Sequence, residues 1–228
     1  MESNAIPKVP SVGLDLRPYF QPREAQLWVA AGFLAIAIDY VLVWHFELHF
    51  SWARFLPVGI ALILFGEKAR QRPGKGWPKG EPNGGWPLWI KVSLIVTAWA
   101  VLLWGILYGI AAWVPWLHDF PPVDPTHVPE MLFPMCVLAP VIEEGVYRVL
   151  LCTVLATRFR HRTVVLISGT AFAGLHFLYG NLAITNLLAG YLLSWAYLMS
   201  GSFWMPILWH AVGNLGILGA GMVLFLLQ

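Results

Sequence analysis

The chain has 228 residues, 58% of them hydrophobic and 11% charged, with a mean hydropathy of +0.67 and a formal net charge of +2. Soluble domains carry about 25% charged residues, so a soluble globular fold is excluded. The composition is that of an integral membrane protein, and its 13 Trp suit the membrane–water interface. The net charge says little about partners, because the charges cluster in a few loops. The lipid bilayer is one expected partner and nucleic acid is not.

Residues 1–26 form a polar tail punctuated by Pro7, Pro10, Pro18 and Pro22. Seven apolar spans are expected after it, at about 27–46, 52–65, 88–116, 130–157, 163–179, 182–200 and 203–227. Most approach the ~20 residues that a bilayer requires, and the second is short. The expected fold is therefore all-α and polytopic, a single transmembrane domain over 27–228. The 67–87 loop carries Lys68, Arg70, Arg72, Lys75 and Lys79, and Arg158–Arg162 is basic as well. Basic loops mark the cytoplasmic side. The acid- and histidine-bearing 117–129 loop then lies outside, and the N-terminus inside. Compact loops favour a bacterial inner membrane. Cys136 and Cys152 are about 24 Å apart along one expected helix and cannot bridge each other.

The stretch from Pro134 to Leu155 is apolar except for Glu143, Glu144 and Arg148. Each charge at bilayer depth costs roughly 2.5–3.5 kcal/mol on insertion scales. Glu144 and Arg148 are spaced to pair on one helix face, acid before base. Glu143 is left over, and an unpaired carboxylate in a dry site is how a general base or acid is made. Two further polar pairs fall inside later spans: Phe172 with His176, and His210 with Asn214. Spacing by four puts each pair on one face. Flanking Gly145, Gly169, Ala173, Gly174, Ala211 and Gly213 allow close helix approach. Asp39, His45 and His49 read as structural or interfacial.

The order E-E-x-x-x-R, F-x-x-x-H, H-x-x-x-N on successive membrane helices resembles the CPBP group of intramembrane glutamic proteases. That group is related to the Rce1-like CaaX prenyl endopeptidases and to the bacterial Abi proteins. The resemblance covers about 130–215, with Val149 where the family often has Gly. It implies a conical or bundle-like intramembrane catalytic core and hydrolysis of a peptide bond without a cofactor or metal. Glu143 would be the general base, His176 would hold the water, and His210 with Asn214 would stabilise the oxyanion. Glu144 and Arg148 would support, with Tyr147 and Phe172 nearby. The substrate would be a membrane-bound or lipidated peptide or protein.

Three alternatives are weighed beside this reading. Two histidines and a glutamate suit a zinc protease, though no H-E-x-x-H is present. A non-catalytic scaffold could retain the fold, and a proton-relay transporter could use buried Glu and His. One discrepancy stands in the sequence. Counted from the cytoplasmic ends, Glu143 and His176 lie about 20 Å in and His210 about 10 Å.

Overall fold

The computed structural model describes residues 22–48, 52–70, 85–111, 122–180 and 184–228. Most of the tail, most of the basic 67–87 loop and part of the 117–129 loop lie outside them, as do His49, His118 and Asp119. The described residues are all-α. Helix α1 spans Pro22–Trp44. A short 3-10 turn, Trp52–Arg54, leads into α2, Phe55–Arg70. Helix α3 spans Gly85–Ala111. After a second 3-10 turn at Pro125–His127, one continuous helix, α4, runs over 128–156. Helices α5 (His161–Leu178), α6 (Ile184–Ser200) and α7 (Trp204–Leu226) complete the bundle. The seven helices fall where the seven apolar spans are expected. Three candidate crossings, Arg23–Trp44, Gly85–Ile106 and Trp204–Leu226, are long and apolar enough to span a membrane, and Phe55–Glu67 is a shorter apolar segment. Their exposed faces carry Leu34, Ile63, Leu94, Val101, Val212 and Leu215, as surfaces against lipid tails should.

Helix α4 is the hub. Leu138, Ile142 and Val146 pack against Ala35 of α1 and Val58 of α2. Leu150 and Val154 meet Ala25 and Phe65 of the same two helices. Tyr147, Leu151 and Leu155 form a third cluster with Phe172 and Leu175 of α5 and Tyr197 of α6. Helix α3 stands apart from this hub and packs on α6 and α7 through Val92, Val96, Ala196 and Met205.

Two segments of α4, Pro134–Leu138 and Gly145–Cys152, are wound wider than an α-helix. The first has a cause in sequence. Proline lacks an N–H, and its ring crowds the carbonyl one turn back. Here the N–H of Ala139 reaches past its usual partner to the carbonyl of Pro134. The usual partner, the carbonyl of Met135, then needs another donor, and the next residue, Pro140, has none to give.

The connection between α6 and α7 is sunk into the protein. Ser200 and Ser202 are fully buried, as is Met205 one residue into α7. Gly201 supplies the left-handed turn, with φ of 65°. Its neighbour Ser202 gives its backbone N–H to the Ser200 hydroxyl at 3.2 Å. The start of α7 is therefore packed into the bundle through Ser202 and Met205, although Trp204 is exposed.

Helices α5 and α6 pack closely at Gly190. A Cβ there would sit 2.9 Å from Phe172 Cδ1 and 3.0 Å from the carbonyl oxygen of Gly169. The second contact is backbone and cannot rotate away. Overpacking of this kind costs about 1–3 kcal/mol. Gly190→Ala should lower the thermal midpoint of the detergent-purified protein, and a midpoint equal to wild type would show that the two helices separate freely.

Candidate active site

The site is assembled from α4, α5 and α7. Glu144 and Arg148 are both 0% exposed and pair as their spacing predicts, with Arg148 Nε 3.0 Å from Glu144 Oε2. Arg148 also donates through Nη2 to the carbonyl of Gly190 at 3.1 Å, reaching α6. Its guanidinium lies 4.7 Å from the ring centre of Phe172 and 5.7 Å from that of Tyr147, where aromatic faces favour a cation.

The other oxygen of Glu144 has a role that the sequence did not reveal. Glu144 Oε1 lies 2.7 Å from His210 Nδ1. An ionised carboxylate only accepts, so the proton is on Nδ1. That fixes the tautomer and turns Nε2 toward Glu143, whose Oε2 is 3.9 Å away. The gap is too long for a direct hydrogen bond and suits an intervening atom. Glu143 Oε2 is buried and has no hydrogen-bond partner among the described residues.

Asn214 is one turn beyond His210 and donates through Nδ2 to the carbonyl of Met135 at 2.6 Å. That carbonyl is the one left without a donor between Pro134 and Pro140, so Asn214 closes a gap in α4 from α7. A side-chain amide has two N–H groups, and one remains after this bond.

His176 is stacked on Phe172, with ring centres 4.3 Å apart. Its Nδ1 lies 3.0 Å from the carbonyl of Phe172, which again places the proton on Nδ1 and leaves Nε2 as an acceptor. Phe172 is the shared wall of the site. It meets Tyr147 edge-on at 5.3 Å and His210 edge-on at 6.0 Å. The hydroxyl of Tyr147 is buried with no hydrogen-bond partner among the described residues. All eight residues singled out in the sequence thus lie on α4, α5 and α7. Contacts chain together Glu143, Glu144, Arg148, Tyr147, Phe172, His176 and His210, and Asn214 bonds α4 nine residues before Glu144.

Sequence reasoning missed one member of the neighbourhood. Arg54 forms a bidentate pair with Asp39, at 2.7 and 2.8 Å. Asp39 also accepts from the Tyr179 hydroxyl at 3.0 Å. Asp39, read from the sequence as structural or interfacial, has as its partner a lone Arg at the start of a short apolar span. That isolation was the available signal.

A cavity of about 470 Å³ opens between α3, α6 and α7, and Phe172, His210 and Asn214 form part of its wall. Most of the rest is apolar, including Val96, Trp104 and Leu193. Apolar cavities with a few convergent polar groups are the usual form of a ligand site. Among the described residues, no three side chains of His, Cys, Asp and Glu are grouped to hold a metal ion.

Residues 125–216 match the Rce1-like family, described as type II CAAX prenyl endopeptidase, and this stretch holds the site-bearing α4, α5 and α6 with the first half of α7. Over this stretch the chain is similar to that family of membrane endopeptidases. No curated protein and no solved structure is similar enough to count as a match.

Leaving one member of a buried ion pair alone costs about 3–5 kcal/mol. Glu144→Leu strands Arg148 and frees the His210 ring, so the protein should accumulate poorly or melt well below wild type. Normal accumulation with an unchanged melting profile would mean that the pair does not hold the bundle.

Proposed function

We propose that the protein is an intramembrane endopeptidase in which Glu143 activates a water molecule against a peptide carbonyl. The observation that carries this reading is the unbonded Glu143 oxygen facing His210 Nε2 across 3.9 Å. Glu143 takes a proton from the water as the oxygen attacks the carbonyl carbon. The C=O π pair moves to oxygen, giving a tetrahedral oxyanion. His210 Nε2, when protonated, and the remaining N–H of Asn214 are the donors available to it. Donors aimed in advance at a developing charge are worth about 3–4 kcal/mol each. Glu143 then returns the proton to the nitrogen, the oxyanion's electron pair re-forms the C=O bond as the C–N bond breaks, and a carboxylic acid and an amine leave. His176 Nε2, an acceptor in the tautomer its Phe172 bond selects, orients the water.

Support for this assignment comes from the contact of His210 with both acids, Nδ1 on Glu144 Oε1 at 2.7 Å and Nε2 3.9 Å from Glu143 Oε2. The cavity beside His210 and Asn214 would receive the segment of a membrane-bound or lipidated peptide that flanks the cleaved bond.

The test is cleavage of a panel of peptides, with and without lipid anchors, by purified protein in detergent. Removing a general base costs about 10²–10⁴-fold. Glu143→Gln should lose cleavage by at least 10²-fold while the melting profile stays that of wild type. Cleavage retained by Glu143→Gln would refute the mechanism. Loss with a chelator would instead point to zinc on the histidines. A cellular function that survives Glu143→Gln would favour a scaffold.

A further inference from the structure

The cavity beside His210 and Asn214 has two unlike ends. Val96, Leu192 and Trp209 line one of them and belong to the cluster that holds Met205. At the other end are Trp104 of α3, Thr185 and Asn186 of α6 and Gly216 of α7. A Cβ on Gly216 would stand 4.0 Å from Trp104 Cη2, so α3 and α7 meet at this end. The wall from Thr185 to Leu193 is about 12 Å long, at about 1.5 Å per residue. An extended peptide advances about 3.3 Å per residue, so this length matches a segment of about three to four residues.

Most polar groups of the wall are committed. Thr97 gives its hydroxyl to the carbonyl of Ser93 at 2.9 Å. Trp209 donates its indole N–H to the Ser93 hydroxyl at 3.3 Å. His210 is held by Glu144, and Asn214 by the carbonyl of Met135. Thr185 differs. Its hydroxyl is buried and has no hydrogen-bond partner among the described residues. Asn186, beside it on the wall, offers an acceptor oxygen and two N–H donors. A buried hydroxyl normally has a partner. A hydrocarbon chain in the cavity would supply none, and would strip water from the Asn186 amide as well. A peptide main chain carries a donor and an acceptor on nearly every residue and supplies both.

We infer that Thr185 and Asn186 form a subsite for the substrate's main chain, about three residues from the cleaved bond, and that the cavity holds a short extended peptide rather than a lipid chain. The inference rests on the proteolytic reading above. The spacing comes from the hairpin of α6 and α7. Leu192 and Trp209 stand at one level, in the same cluster. His210 follows Trp209, and Asn186 lies six positions before Leu192. The two are therefore offset by about 9 Å along the bundle, or about three residues of extended chain. Apolar groups elsewhere on the wall, such as Val101 and Ile217, face the side chains of that segment.

Using a peptide that wild type cleaves, KM and kcat are measured for Asn186→Leu and Thr185→Val. Losing a contact made equally in the ground and transition states raises KM and spares kcat. KM should rise about tenfold in Asn186→Leu and severalfold in Thr185→Val. The same peptide is then methylated at one main-chain nitrogen at a time. Methylation at one site about three residues from the cleaved bond should weaken wild type about tenfold and cost Asn186→Leu little more, because the contact is already gone. A merely structural Asn186 would alter the melting profile and leave the methylation pattern of wild type in place, and that result overturns the inference. So does an unmoved KM in both variants, or a lower KM for a lipid-anchored peptide in Asn186→Leu. If Asn186→Leu does not accumulate, Thr185→Val and the methylated peptides on wild type decide. Binding of the fluorescent peptide to Glu143→Gln separates this inference from the reading it rests on. Binding that weakens when Asn186→Leu is added upholds the subsite, even where cleavage persisting in Glu143→Gln overturns the mechanism. Binding indifferent to Asn186→Leu overturns the subsite alone.

Discussion

The buried pair of Glu144 and Arg148 is the interaction on which the rest depends. Two full charges stand in a part of the bundle with no solvent contact. A buried ion pair of this kind contributes little net stability beside a well-packed apolar substitute. Its value lies in what the two groups reach. Glu144 has two oxygens, one spent on Arg148 and one on His210. Arg148 reaches the backbone of α6 and the face of Phe172 on α5. One pair of side chains on α4 thus specifies where α5, α6 and α7 stand. It also fixes which nitrogen of His210 points at Glu143.

Adjacent acids on one helix diverge by about 100°, and here they meet the two nitrogens of one ring, His210. The structure uses that divergence. Glu144 is spent on holding the bundle together, and Glu143 is kept from any direct bond. Around Glu143 the surroundings are asymmetric. An apolar cavity walled by His210 and Asn214 lies toward α7. A cluster of Asp39, Arg54 and Tyr179 lies toward α1 and α5.

The helices were legible because apolar runs of bilayer length have few alternative readings. The pairing of Glu144 with Arg148 was legible because it is local and obeys helix spacing. The partners across the bundle were not. Nothing in the chain links Glu144 to His210, 66 positions away, until α4 and α7 are packed. The bond from Asn214 to Met135 had a local cause in Pro134 and Pro140, which strip a carbonyl of its donor. Sequence could show that a donor was missing but not who would supply it. Arg54 was overlooked because it is a lone charge at the start of an apolar run, with nothing local to link it to Asp39, 15 positions earlier.

The buried start of α7 also bears on how the protein is made. Loops with lysine and arginine are held on one side of the membrane as the chain is threaded into it. The join between α6 and α7 carries no charge, and in the finished protein it is dry. It gives the insertion machinery nothing to retain on either side. The α6–α7 hairpin is therefore held by packing rather than by charge, and it is through that packing that His210 and Asn214 reach α4.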